Sequence, residues 1–487
     1  MRIKNFLAPL ILALVLVPVS ALLLLTLGAD SAPLPDREAL IAELPSVADE
    51  QNAFPLWQQI FVDTSHTVDP DIIQMARQQR PWDSNKIERQ ILQSAELFPL
   101  VRDLRRFDAM RSDYAVDIHS YSYSDVFRIM SVIISAGQWH WQNGQQEEGS
   151  ELFLDAAHMI KLLYRDEGAT LISLFLAQRE QLSLVSTLQR LIADAASLEE
   201  LERLILSANQ LSFPYDSLPA KVSQNEALFS RLAFLSHVNT PFSTRLSNAI
   251  NFYPWWAEDC HVLEEDQQLI CGEAVYDTLS YMFPRFYSHW QTFDRHVADQ
   301  QTRHLEIMAM PCTALHDSTP PAPGARHWSD YFTPDSAIAR VPNTDGFVQR
   351  LNVNHCLTDF FVSSLQIALA LKQYELTYGQ PARSLDEVLS EPPQDPFSPT
   401  PIRYDWEHQL LWSAGTDGQG ERGYPAAPPP SEYTAESALS AHPTYLLRPR
   451  PIPAPEKRPS RCEQDPSIPR LDDIESEQGK NEPTQAH

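Results

Sequence analysis

Residues Phe6 to Gly28 read FLAPLILALVLVPVSALLLLTLG, 23 residues without a charge. About 20 apolar residues cross a bilayer as a helix, so this run is long enough to span one. Arg2 and Lys4 precede it, and Asp30, Asp36 and Glu38 come after it. Positive charge on the leading side keeps the N-terminus in the cytoplasm and sends the bulk of the chain across. Pro9 and Pro18 are tolerated in a membrane helix. A secretory signal has a shorter apolar region followed by small residues. LGADSAP supplies small residues, but the length of the run favours an uncleaved anchor. Residues 1–30 are therefore read as a transmembrane signal anchor, and the folded body must be built from the chain beyond them.

The composition agrees with export. Net charge is −27 across 487 residues, which repels nucleic acid and anionic headgroups alike. A hydrophobic share of 43% is enough for sizeable cores, and 14 glycines against 39 prolines suit helices separated by proline-bearing loops. Five cysteines, Cys260, Cys271, Cys312, Cys356 and Cys462, fit two structural disulfides with Cys462 left over. Spacing does not fix the pairing. Cys260–Cys271 closes a short loop and is the first choice. Cys260, His261 and Cys271 lack the spacing and fourth ligand of a zinc site.

From about Pro35 to Leu211 the hydrophobic pattern is helical. DVFRIMSVIISAGQWHW is followed by Asn143-Gly144 and then by EEGSELFLDAAHMIKLLY, in which Leu152, Phe153, Ala156, Ile160 and Leu163 mark one helix face. Two helices joined by that turn form an antiparallel hairpin, with Ala156 and Ala157 allowing close approach. It is similar to one helical pair of a tetratricopeptide-type repeat, but no 34-residue period continues it. TLISLFLAQREQLSLVSTLQRLIAD is apolar enough for a central helix. SLEELERLILSANQL opens with a capping box, Ser197 and Glu200, and turns Leu198, Leu201, Leu204, Ile205 and Ala208 inward. A long amphipathic helix returns from Cys356 to Tyr378, SLDEVL is a short helix capped by Ser384 and Glu387, and two short strands fall near 402–406 and 409–413. Beyond Tyr424 the chain is proline-rich and polar, a composition that cannot bury enough surface to fold. TYLLRP is the exception, a candidate edge strand. The expected class is mainly α: anchor 1–30, helical body 31–355, small α/β appendage 356–423, and a largely disordered tail 424–487.

The search for chemistry finds no HExxH, GxSxG, Walker A or dinucleotide-binding motif. His289, His296 and His304 recur at seven- and eight-residue steps, too far apart on a helix, about 10 to 12 Å, to share one metal. His119 lies among Asp117, Tyr121, Tyr123 and Asp125; a His–Asp base pair is conceivable there, but a helix entry capped by Ser122 and Asp125 is preferred. Glu264, Glu265 and Asp266 form an acidic run that reads as a solvated face, and Glu226 is a lone helical carboxylate. The aromatic clusters NFYPWW and YMFPRFYSHW read as buried helical core. No catalytic residue is assigned.

LALKQYELTYGQPARSLDEVLSEPPQDPFSPTPIRY, continuing to LLWSAGTDGQG, resembles the C-terminal part of type II secretion major pseudopilins over residues 369–423. The shared order is a helix, a turn with Gly and Pro, a short helix, Asp-Pro-Phe, a strand pair and Ser-x-Gly-x-Asp-Gly. The same ending with a long helical middle is similar to a family of membrane-anchored bacterial envelope proteins. In pseudopilins the last loop binds calcium through an aspartate of the Asp-Gly step and a second aspartate about seven residues later. Asp417 matches the first; the second position falls near Tyr424, with Glu421 the nearby substitute. The resemblance thus implies a weak calcium site at Asp417. The start departs from pilins, with no Gly-Phe junction followed by Glu, so the chain is not one. The resemblance implies the bacterial inner membrane, entered through residues 6–28, with the bulk periplasmic. The expected role is non-enzymatic binding or scaffolding of an envelope protein partner, with no nucleic acid. The alternatives are a periplasmic hydrolase with its site in the helical body, and an accessory factor of a secretion or pilus system.

Overall fold

The structure, a computed structural model, describes residues 34–64, 68–77, 80–113, 123–213, 218–239, 290–315, 345–415, 430, 433 and 443–449. Twelve α-helices and one three-stranded antiparallel sheet make up the described part, so the chain is mainly α with a small sheet. Among the described residues no helix is long and apolar enough to cross a membrane. The run 6–28 lies outside them.

The body opens with five short helices, α1 (Arg37–Ile41), α2 (Phe54–Thr64), α3 (Pro70–Ala76), α4 (Ser84–Gln93) and α5 (Leu97–Asp103). Asp36, Asp69 and Asp83 start three of them, each accepting a first-turn backbone N–H that the helix cannot satisfy itself. Next comes the expected hairpin, α6 (Tyr123–Gln142) and α7 (Gln146–Arg165). Gly144 makes the turn at φ 80°, a conformation that favours glycine. Leu152, Phe153, Ala156, Ile160 and Leu163 are all buried, as the periodicity requires. The closest approach falls at glycines. A Cβ on Gly149 would lie 2.7 Å from the Gly137 carbonyl oxygen, so the two backbones touch there.

The central helix is α8 (Leu171–Asp194), capped by Thr170 and Ser173 and buried along almost its whole length. Its glutamines are buried with its leucines because they donate to distant carbonyls. Gln178 reaches Leu351 at 3.2 Å, Gln181 reaches Leu211 at 2.6 Å and Gln189 reaches Leu446 at 2.6 Å. In α9 (Leu198–Asn209) Ser197 accepts from the Glu200 N–H, while the Glu200 carboxylate reaches back to Ala196. Leu201, Leu204 and Ala208 are buried there. Leu198, expected inside, is 42% exposed at the first residue of the helix.

Two antiparallel partners come next, α10 (Leu218–Asn239) and α11 (Trp290–Met308), which pack against each other through Phe234, Phe293 and Trp290. Then comes α12 (Asp345–Tyr378), 34 residues and about 51 Å long. It starts eleven residues before Cys356, so the division expected at 355/356 falls inside it. Its first half packs on α11 and its length lies along α8. A disulfide joins Cys312 to Cys356 with Cα atoms 5.9 Å apart. One turn earlier, the Asn352 side chain donates to the carbonyls of Ile307 and Met310.

The sheet lies against the second half of α12. β1 (Arg403–Asp405), β2 (Leu410–Trp412) and β3 (Thr444–Leu446) pair in that order, with Tyr404 opposite Leu411 and Leu411 opposite Tyr445. β3 is the strand expected from TYLLRP. Tyr433, assigned to the tail by composition, is buried: its ring lies 5.0 Å from Phe361 and its hydroxyl accepts the Thr444 N–H. One hydrophobic core runs from Trp57 in α2 to Tyr445 in β3. The capped helix expected at SLDEVL is a 3-10 turn, Leu385–Glu387. Ser384 makes no side-chain cap, and Glu387 accepts instead from the Arg383 N–H.

Candidate functional site

Where α10, α11 and the start of α12 meet, five polar side chains come together: Asn225, Glu226, Arg303, His304 and Asp345. Leu171 opens α8 with a backbone N–H that has no partner in its own helix, and Glu226 accepts it at 3.3 Å. Next to it, Asn225 donates to the carbonyls of Glu167 and Ala169, fixing α10 against the α7–α8 turn. Across α10, His304 is 2% exposed, with its Nε2 3.7 Å from the Asp345 carboxylate; Arg303 approaches that carboxylate at 3.4 Å. Ser223, Glu226, Gln300, Gln301 and His304 line a cavity of about 10 Å³, the space of one water.

Burial dominates the protonation states. It pushes the His304 imidazole down to about 4, against the opposing pull of Asp345. It also raises the Glu226 carboxyl, against the Leu171 N–H. A neutral imidazole backed by a carboxylate and facing a water-sized space can accept a proton, which is the chemistry of a general base.

A second buried carboxylate sits mid-helix on α8. Glu180 is 1% exposed, and neither of its oxygens accepts a hydrogen bond from a described residue. The Arg77 guanidinium stands 3.8 Å away, itself 4.6 Å over the Phe127 ring. Burial lifts Glu180 to about 7, with Arg77 and Arg179 pulling the other way. Arg179 donates to the Tyr433 carbonyl at 3.2 Å.

Other buried acids hold elements together. Asp166, lifted to about 6 by burial, accepts from the Ser112 N–H, the Ser112 hydroxyl and the Gly168 N–H. Asp155, also lifted to about 6, pairs with Arg105 at 2.6 Å. Asp395, of the Asp-Pro-Phe motif, accepts from the Ser413 hydroxyl at 2.7 Å, the Ala414 N–H at 2.8 Å and the Phe397 N–H at 3.0 Å. One carboxylate thereby ties the Asp-Pro-Phe turn to the end of β2.

The residues singled out in sequence divide unevenly. Cys312 and Cys356 are bonded to each other. Glu226 has the Leu171 N–H as a partner. Asp125 pairs with Arg128 in the first turns of α6. Cys260, Cys271, Cys462, His119, Asp117, His289, the acidic run 264–266 and Asp417 lie outside the described residues. Among the described residues no three His, Cys, Asp or Glu side chains could hold a metal together. Glu180 and Asp345 belong to no sequence motif, and Asp395 stands out only through Asp-Pro-Phe. For Glu180 a signal existed, since Arg179-Glu180 puts two charges in the middle of a leucine-rich helix. For Asp345 none did.

Comparison of the chain with protein-family models, with curated proteins and with solved structures finds no match.

Proposed function

We propose that this is a single-pass, membrane-anchored protein of the bacterial cell envelope whose helical body and attached sheet act by binding other envelope components. The observation that carries the reading is the work done by the buried acids. Asp166, Asp155, Glu226 and Asp395 are each matched to groups on a second segment, as fasteners of a rigid frame. The Cys312–Cys356 bond supports export, since disulfides persist in oxidising compartments. The Asp395 tie supports the pseudopilin-like reading of the last layer, and with it a secretion or pilus setting for the partner. In-cell cross-linking of the anchored protein, with identification of the adducts, tests the proposal. A reproducible envelope partner is expected, and a pseudopilin among the adducts selects the accessory-factor form. A chain that stays without adducts at every cross-linker length overturns it.

A hydrolase is the second reading, favoured by Glu226 and His304 lining one water-sized cavity, with the Asp345 carboxylate 3.7 Å from the His304 imidazole. On this reading His304 activates the water and Asp345 steadies the imidazolium. Loss of a cell-envelope phenotype in His304→Gln, with an unchanged urea midpoint, would favour it over the scaffold.

A further inference from the structure

Two large aromatic side chains stand in water at the far end of α12: Tyr378 is 66% exposed and Trp406 is 40% exposed. They belong to one surface. Tyr378 packs on Tyr374 at 4.5 Å between ring centres, and the Glu387 carboxylate is near enough to the Tyr374 hydroxyl to raise its pKa, behind the larger effect of burial. Glu387 accepts from the Arg383 N–H, and the Arg383 guanidinium lies 5.7 Å over the Trp406 ring. Exposed Asp386, Glu387 and Glu407 give the same surface an acidic border. Exposed aromatic faces bordered by charge mark interaction sites. Flat rings of this kind pack against proline rings, which cost little entropy to hold still.

The chain carries a segment of complementary chemistry, and it starts beside this surface. Residues 449–461, PRPIPAPEKRPSR, hold five prolines and the basic residues Arg450, Lys457, Arg458 and Arg461 against one acid, in a chain whose net charge is −27. The segment departs from Arg448, whose guanidinium is 3.1 Å from the Glu375 carboxylate. Glu375 neighbours Tyr374 and lies three residues before Tyr378 on α12, so its side chain and that of Tyr378 share a helix face. Six residues of extended chain reach about 20 Å, ample for that distance. Tethering at Arg448 raises the local concentration of the segment to the millimolar range. We infer that the Tyr374–Tyr378–Trp406 surface is the docking site of the chain's own basic, proline-rich segment 449–461.

The test uses the full-length chain with the photoreactive residue benzoylphenylalanine at position 378, and separately at position 406. Two sites guard against a single variant that misfolds, and a urea midpoint equal to that of the unsubstituted chain reports the folded frame. Irradiation is expected to give an adduct within 449–461 of the same chain, at monomer mobility. Charge reversal by R450E, K457E and R458E together is expected to cut its yield about tenfold, the combined effect of three weak ion pairs. An adduct joining two copies, an adduct to another protein, or irradiated folded chain with no adduct in 449–461 would each overturn the inference. It stands apart from the envelope reading, because a captured partner with no internal adduct refutes only the docking.

Discussion

Gly144 and Gly149 sit five residues apart and resist side chains for opposite reasons. Around Gly144 there is open space, but its φ of 80° strains any other residue. Gly149 has room in its torsions and none around it, with the Gly137 oxygen 2.7 Å and the Trp141 nitrogen 3.0 Å from a built Cβ. Backbone atoms cannot rotate away, so Gly149→Ala is expected to cost about 2 kcal/mol and Gly144→Ala about 1 kcal/mol, both read from urea midpoints. Equal losses would contradict the geometry. The buried ionisable groups impose a pH dependence with two signs. His304 has a folded value near 4 against 6.5, so the stability it contributes is complete above 6.5 and is lost as pH falls toward 4. Glu180 runs the other way: its folded value near 7 against 4.5 means stability is lost as pH rises from 4.5 through 7. Asp166, near 6, slopes in the same direction as Glu180. Glu180→Gln is therefore expected to stabilise the protein by about 3 kcal/mol at pH 8 and by little at pH 4.5. A gain of the same size at both values would show that charge is not the cause.

At the scale of elements, what was legible is what is local. The α7 face comes from 3.6-residue periodicity, and the β1–β2 pair from apolar runs on either side of a turn. Partners distant in sequence left no trace. Nothing near Gln178 or Gln189 announces carbonyls 173 and 257 residues away, so α8 read as an apolar rod when it is a polar clamp with an apolar coat. The alanines of α7 suggested close packing, while contact is made at Gly137 and Gly149, whose juxtaposition depends on the helix pair meeting first. Asp395 is the intermediate case: the motif was visible, its bond to Ala414, 19 residues on, was not. Asp395→Ala is expected to leave the Ala414 N–H buried without an acceptor, at about 2 kcal/mol. Hydrogen exchange should then speed at Ala414 while α6 and α7 amides keep their rates. A uniform increase through both regions would mean that the sheet and body open together.

Across the whole molecule, the main core takes in the sheet with the body, while the candidate site lies beside a smaller cluster of Ala227, Phe293 and Val297 between α10 and α11. Asp345 reaches His304 only because α12 begins where α11 can meet it, a placement secured by Asn352 and the Cys312–Cys356 bond. The bond spans 44 residues of sequence, for which chain entropy gives a stabilisation of about 4 kcal/mol. Cys312→Ser with Cys356→Ser is expected to lower the urea midpoint accordingly. It should also move the pH at which His304 titrates, tracked by ring NMR, because Asp345 is no longer held in place. A shifted midpoint with unchanged titration would separate the clasp from the site.

The same helix has a mechanical meaning. Load applied to the chain beyond Arg448 enters at β3, three residues long and held to α8 by Gln189, and reaches the body through α12. Strain of that kind peels β3 from β2 one bond at a time, long before it shears the disulfide-braced crossing of α11 and α12. The sheet is then the weak link of the frame, and a pull from its outer end registers there first, as an early, small extension in a single-molecule trace.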